Sequence, residues 1–194
     1  MILKILIKIF GGAWIIRLKY SGTKVSFLKK IYGFLYTYYL QSKGSWISLS
    51  TKFHGEPCFP HGIYGVFISG SAVIGKNCVI FQHVTIGSNT LIDSKGLGAP
   101  TIGDHCYIGA GAKIIGHVKV GSNVRIGANT VVYQDVPDNS VVISCTQRVI
   151  QKEKPFNNRF YHKYNGEWGF FDNGAWCKVQ EPDELYLLDR SFSQ

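Results

Sequence analysis

Aliphatic residues recur at every sixth position, at Ile68, Ile74, Ile80 and Ile86 and again at Ile102, Ile108, Ile114, Val120, Ile126 and Val132. A period of six matches neither a 3.6-residue helix nor the two-residue alternation of a hairpin strand. It matches a solenoid in which three short flat strands make one triangular coil. No coil buries its apolar face alone, so coils stack and share one core. Glycine often follows the aliphatic residue, as at Gly75, Gly87, Gly103, Gly109, Gly121 and Gly127, and is expected to turn the corner. Four positions after it stands a small or β-branched residue, such as Ala72, Cys78, Val84, Cys106, Ala112, Val118, Val124, Thr130 or Val136, sized to fill the space near the next corner.

The register breaks twice. Between Ile86 and Ile102 the stretch SNTLIDSKGLGAP (88–100) holds residues the coils cannot absorb, and a loop projecting from so strict a repeat is more often functional than idle. The other break lies between Phe59 and Ile68 and contains His61, a residue the coils would not tolerate pointing inward. Three parts follow: a basic amphipathic helical segment over 1–46, the solenoid over 47–143 with its projecting loop, and a tail over 144–194.

The net charge of +9 belongs entirely to residues 1–55, which carry nine basic residues, eight of them in the first part, and no acid before Glu56. Lysines interleaved with Ile, Leu, Phe and Tyr over 1–43 suit contact with an anionic membrane surface, or docking of the helices on the chain's own core. Nucleic acid is not expected, since no nucleic-acid module accompanies the basic segment. Lys4, Lys8, Arg17 and Lys19 interrupt the opening apolar stretch, so neither a membrane span nor a signal peptide is expected. The five cysteines, Cys58, Cys78, Cys106, Cys145 and Cys177, are odd in number and without a CxxC pair, which reads as reduced thiols of a cytoplasmic protein, peripheral to the inner face of a membrane if the basic segment touches it. The segment from Phe27 to Tyr39 has helical spacing and a stop at Gly44. In the tail, Asn-Gly at 165–166 and 173–174 separates aromatic-rich strands and predicts hairpins. Their Trp168, Phe170, Phe171 and Trp176 are expected to form a structural patch, or else to stack on sugar rings.

The stretches IGKNCVIFQHVTIG and APTIGDHCYIGAGAKIIGHVKVGSNVRIGANTVVYQDVPDNSVV resemble the hexapeptide-repeat acyltransferases, specifically the serine-acetyltransferase-like branch that includes O-acetyltransferases of capsule and lipopolysaccharide sugars. The resemblance implies a left-handed parallel β-helix, a homotrimer with sites between subunits, acetyl-CoA as acyl donor, and a histidine base, which maps to His61. It implies coenzyme contacts at Gly109, Ala110, Gly111 and Ala128, with Arg148 and Lys152 meeting the CoA phosphates. Gln82, His83 and Asp93 are expected to line the acceptor pocket. Three departures stand out. His61 lies one position farther from Gly65 than the histidine of the serine acetyltransferases does. Pro60 and Trp46 stand where those enzymes place aspartates, which leaves Glu56 and Asp93 as candidate partners for His61. LGAPTIG lacks their second histidine, which argues for an acceptor other than serine.

Removing a hydroxyl proton as the oxygen attacks a thioester suits an imidazole, whose unperturbed pKa is about 6.5. No G-x-S-x-G elbow suggests a covalent intermediate. Of the other histidines, His54 is a backup base, His105 and His117 occupy outward positions, and His162 lies in the tail. A zinc site shared between copies through His83 and His117 would need its third ligand at Ser122, so no metal is expected. Cys78 and Cys106 sit at packing positions, and nothing visible activates Cys58 as a nucleophile. The chain is therefore expected to acetylate a sugar hydroxyl in surface-polysaccharide synthesis. A serine O-acetyltransferase and a non-catalytic β-helix scaffold are the rivals.

Overall fold

The computed structural model describes residues 7, 12–143, 159, 161–172 and 175–193. Strands of two or three residues stack into three parallel sheets. Sheet I orders β1 (Trp46–Ile47), β3 (Phe67–Ile68), β6 (Thr85–Gly87), β9 (Lys113–Ile115) and β12 (Val131–Val132). Sheet II holds β2 (Lys52–Phe53), β4 (Val73–Ile74), β7 (Thr101–Ile102) and β10 (Lys119–Val120), and sheet III holds β5 (Val79–Ile80), β8 (Tyr107–Ile108), β11 (Arg125–Ile126) and β13 (Val141–Val142). Every sixth aliphatic residue from Ile68 to Val132 is buried within the prism, while its strand neighbour faces out. The result is a left-handed parallel β-helix.

The glycines do a different job from the one expected of them. A Cβ on Gly75 would stand 2.5 Å from the Gly103 carbonyl, and one on Gly103 would stand 2.7 Å from the Gly121–Ser122 backbone. Glycine there lets successive coils approach. The corner itself is made two residues later by Asn77, His105 and Asn123, at φ of 54°, 57° and 57°, a left-handed conformation that Asn reaches because its short polar side chain bonds locally.

Two antiparallel helices, α1 (Gly12–Gly22) and α2 (Ser26–Gln41), cover the first coil through Ile16, Leu35, Tyr36 and Leu40, which join the prism core beside Ile47. Gly44, at φ +61°, follows α2 where the sequence placed the stop. Arg17 is 6% exposed and is in none of the ion pairs found among the described residues. Its guanidinium instead donates to the carbonyls of Ser48 (2.7 Å), Leu49 (3.2 Å) and Thr51, and lies 4.9 Å from the Phe53 ring centroid. Arg17 thus satisfies the exposed end of the prism. Self-docking is what this face of the segment does, while Leu18, Phe27 and Phe34 remain exposed on its outside. Among the described residues no helix is long and apolar enough to cross a membrane.

The tail forms the antiparallel sheet β14 (Tyr161–Tyr164), β15 (Glu167–Asp172) and β16 (Ala175–Lys178), followed by α3 (Pro182–Phe192), a helix the sequence reading did not include. Asn165 and Gly166, at φ 50° and 85°, make the expected turn. Tyr161, Trp168, Phe170, Val179 and Leu188 form a second core that also takes in Ile92 and Leu97 of the projecting loop. Trp168 and Phe170 are therefore structural, Trp176 is exposed, and the Phe171 side chain lies outside the described residues.

Candidate active site

Phe67 pairs with Thr85 eighteen residues later, but with Trp46 twenty-one residues earlier. The three additional residues swell the corner between Cys58, which bridges to Val79 of sheet III, and β3 of sheet I. His61 stands on that swelling, exposed. Its Nδ1 lies 2.9 Å from Gln82 Oε1, and its ring meets Phe81 edge-on at 5.3 Å. An amide oxygen can only accept, so Nδ1 carries the proton and Nε2 keeps its lone pair toward solvent. Among the described residues no carboxylate pairs with His61. Glu56 instead borders a cavity of about 200 Å³ beneath the helices, with Trp14, Tyr36 and Phe59.

Below His61 the same edge continues coil by coil. His83 N donates to Tyr64 O (2.9 Å), Gly111 N to Gln82 O (3.0 Å), and Asn129 N to Ala110 O (2.8 Å). Thus His61, Gln82, His83, Gly109, Ala110, Gly111 and Ala128 fall on one prism edge, as a column that descends by about 4.8 Å per coil. Gly109 has the next coil against it, since a Cβ there would be 2.7 Å from Ala128 N. Gly65 is required by His83: at φ +63° its Cβ would lie 2.2 Å from His83 Nδ1.

Asp93 does not join this column. The loop that carries it leaves between β6 and β7, at the sheet I–II edge, closed by paired Asn89–Gly98 bonds and tied by His117 N to Gly96 O at 2.9 Å. Within one copy it cannot line the His61 corner, because a different prism edge holds it. Arg148 and Lys152 lie outside the described residues. Cys78 and Cys106 point inward and donate to Gly103 O (3.3 Å) and Gly121 O (3.1 Å); the Cys106 sulfur and burial push the Cys78 thiol up, away from nucleophilic use.

The sequence reading missed three residues at this corner. Lys43 Nζ meets Tyr64 Oη at 2.6 Å, a bond that holds its ammonium above its ordinary pKa, and Lys113 Nζ donates to His83 O at 2.6 Å. The available signal was Lys113 in the outward slot just before Ile114, and Lys43 at the helix stop. No group of three or more metal-ligating side chains converges among the described residues.

Residues 99–134 match the bacterial transferase hexapeptide (six repeats). This part of the coil carries the hexapeptide repeat of those transferases. The chain is 41% identical over 104 residues to the serine acetyltransferase of Bacillus pumilus, covering 53% of this chain and 46% of that one. It also resembles solved serine acetyltransferases. Isoform 3 from Entamoeba histolytica, in complex with cysteine, aligns with TM-score 0.54 and 34% identity over 73% of this chain and 48% of that one. The Neisseria gonorrhoeae enzyme, in complex with serine, aligns with TM-score 0.55 and 30% identity over 69% and 52%. This hexapeptide-repeat chain spans about half the length of the relatives it matches. These relatives correct the expected sugar acceptor and surface-polysaccharide role, since the similarity runs to enzymes named for serine. One histidine missing from LGAPTIG was too narrow a ground for moving the acceptor.

Proposed function

We propose that the chain is an acetyl-CoA-dependent serine O-acetyltransferase with His61 as general base. The observation that carries this reading is an imidazole whose Nδ1 is already held by Gln82, at the head of a column of small residues. His61 Nε2 takes the serine hydroxyl proton as the oxygen attacks the thioester carbonyl. The tetrahedral intermediate then expels the CoA thiolate, which recovers that proton from the imidazolium. Gly109, Ala110, Gly111 and Ala128 leave room along the edge for the thin pantetheine arm, and the backbone N–H groups of such corners suit a developing oxyanion. Arg148 and Lys152 are assigned to the CoA phosphates. The coil over 47–143 is the catalytic unit, with α1 and α2 of the 1–46 segment as its cap and the sheet and helix of the 144–194 tail bracing the loop. Asp93, on another edge, could reach the His61 corner only from a neighbouring copy, as a trimer would supply.

The test is acetyl transfer to L-serine by the full chain, followed through CoA thiol release. His61→Ala is expected to lower kcat by about 10²–10⁴-fold with the acetyl-CoA KM little changed. Unaltered turnover in that variant would remove His61 from the chemistry, whereas no transfer by the wild-type chain would favour a scaffold.

A further inference from the structure

The groove at the Tyr64–His83 contact carries charge that no described residue neutralises. About 630 Å³ in volume, it is lined by Lys43, Tyr64, Gly65, Phe67, His83 and Lys113, with Gly44, and no acid is among these described lining residues. The ion pairs found among the described residues, Arg159–Glu184, Lys163–Asp189 and Lys178–Glu167, all lie in the C-terminal part. Lys43 and Lys113 each spend one contact on a neutral oxygen, Tyr64 Oη and His83 O. An ammonium has three donors, so each keeps two for a ligand. The neutral oxygens fix where the two ammoniums stand without cancelling their charge. Gly44 leaves its side of the groove open, and the His83 ring packs over Gly65. Tyr64 and His83, which bond to the two lysines, are themselves joined through His83 N and Tyr64 O, next to the Gln82 that holds His61.

We propose that this groove is an anion subsite for the acceptor, in which Lys43 and Lys113 hold the carboxylate of a small hydroxy amino acid while its hydroxyl faces His61 Nε2. The inference rests on the proposed transfer to serine. It also offers a substitute for the histidine absent from LGAPTIG, because two ammoniums recognise a carboxylate without it. The CoA phosphates are the other source of negative charge on hand, and the experiment separates the two.

The kinetics of the full chain are to be measured with L-serine and with serinol, the analogue whose carboxylate is replaced by an uncharged hydroxymethyl group while the ammonium is kept. In the wild type, kcat/KM for L-serine is expected to exceed that for serinol by at least about tenfold. Lys43→Met/Lys113→Met should lower the L-serine value by about tenfold, leave serinol within about twofold, and leave the acetyl-CoA KM unchanged. A rise in the acetyl-CoA KM instead would assign the lysines to the coenzyme and overturn the proposal. So would an equal loss on both alcohols, or no loss. If the wild type acetylates neither alcohol, the proposed function fails. The subsite is then read by calorimetric titration with L-serine and serinol: serine binding that is lost in the double variant supports it, and equal affinity for both compounds overturns it.

Discussion

Which nitrogen of His61 carries the proton is decided by Gln82, whose Oε1 sits 2.9 Å from Nδ1. A carboxylate in that place would orient the ring equally well and would also stabilise the imidazolium formed during transfer. The amide only orients. Gln82→Glu should therefore favour the imidazolium over the neutral ring. Since the base works unprotonated, the acidic limb of kcat/KM against pH should move to higher pH. Gln82→Ala should free the ring and lower kcat by about tenfold without moving the acetyl-CoA KM. If the Glu variant keeps the wild-type pH profile, the pair is not set up as described. Gln82 was legible in the sequence as a residue of this neighbourhood, but its role was not. The contact depends on three residues inserted in the preceding coil, and a one-dimensional register marks a break without saying what the swollen corner reaches.

The tail illustrates where element-level patterns stop. Its Asn165–Gly166 turn could be read from the sequence, and so could α3 in retrospect, from Pro182 at its start and the acids Asp183 and Glu184 in its first turn. The docking of the tail onto the loop could not, because Ile92 and Leu97 meet Trp168 and Phe170 across some seventy positions that no local period links. Asp189 of α3 joins helix to sheet by accepting from Lys163 Nζ and Trp168 Nε1, both at 2.9 Å. Those bonds, Lys163's first, hold its carboxyl below the usual 3.8. An acid whose pKa falls on folding stabilises fully above its unfolded value, and the contribution is lost as pH falls through the folded one. Trp168 emission should accordingly shift only below about pH 4, and far less in Asp189→Asn, which no longer titrates there. A transition of the same size in the Asn variant would place the acid sensitivity elsewhere.

At the scale of the whole molecule, the hexads encode a stack in which each coil contacts only its neighbours, so stability is a sum of coil terms and interfaces between coils. That architecture was legible because every buried aliphatic position repeats the same environment. The ends were less so, because capping is a single event with no period, and Arg17, which in the sequence only interrupts an apolar stretch, is bonded to three carbonyls of the first coil. Position along the stack then decides what a deletion costs. Ile108, fully buried in the third coil, has β5 on one side and β11 on the other, whereas Val142 of β13 is half-buried and pairs on one side through Ile126. Ile108→Ala should cost about 2–5 kcal/mol and lower the urea midpoint of the whole chain. Val142→Ala should cost about 1 kcal/mol or less, because a half-exposed methyl pair loses little burial. Its effect should be concentrated in faster amide exchange at β13, with protection in β5 and β8 retained. Equal losses of global stability from the two variants, or faster exchange spread evenly over all coils, would mean that the prism unfolds as one indivisible unit and that nearest-neighbour stacking does not govern it.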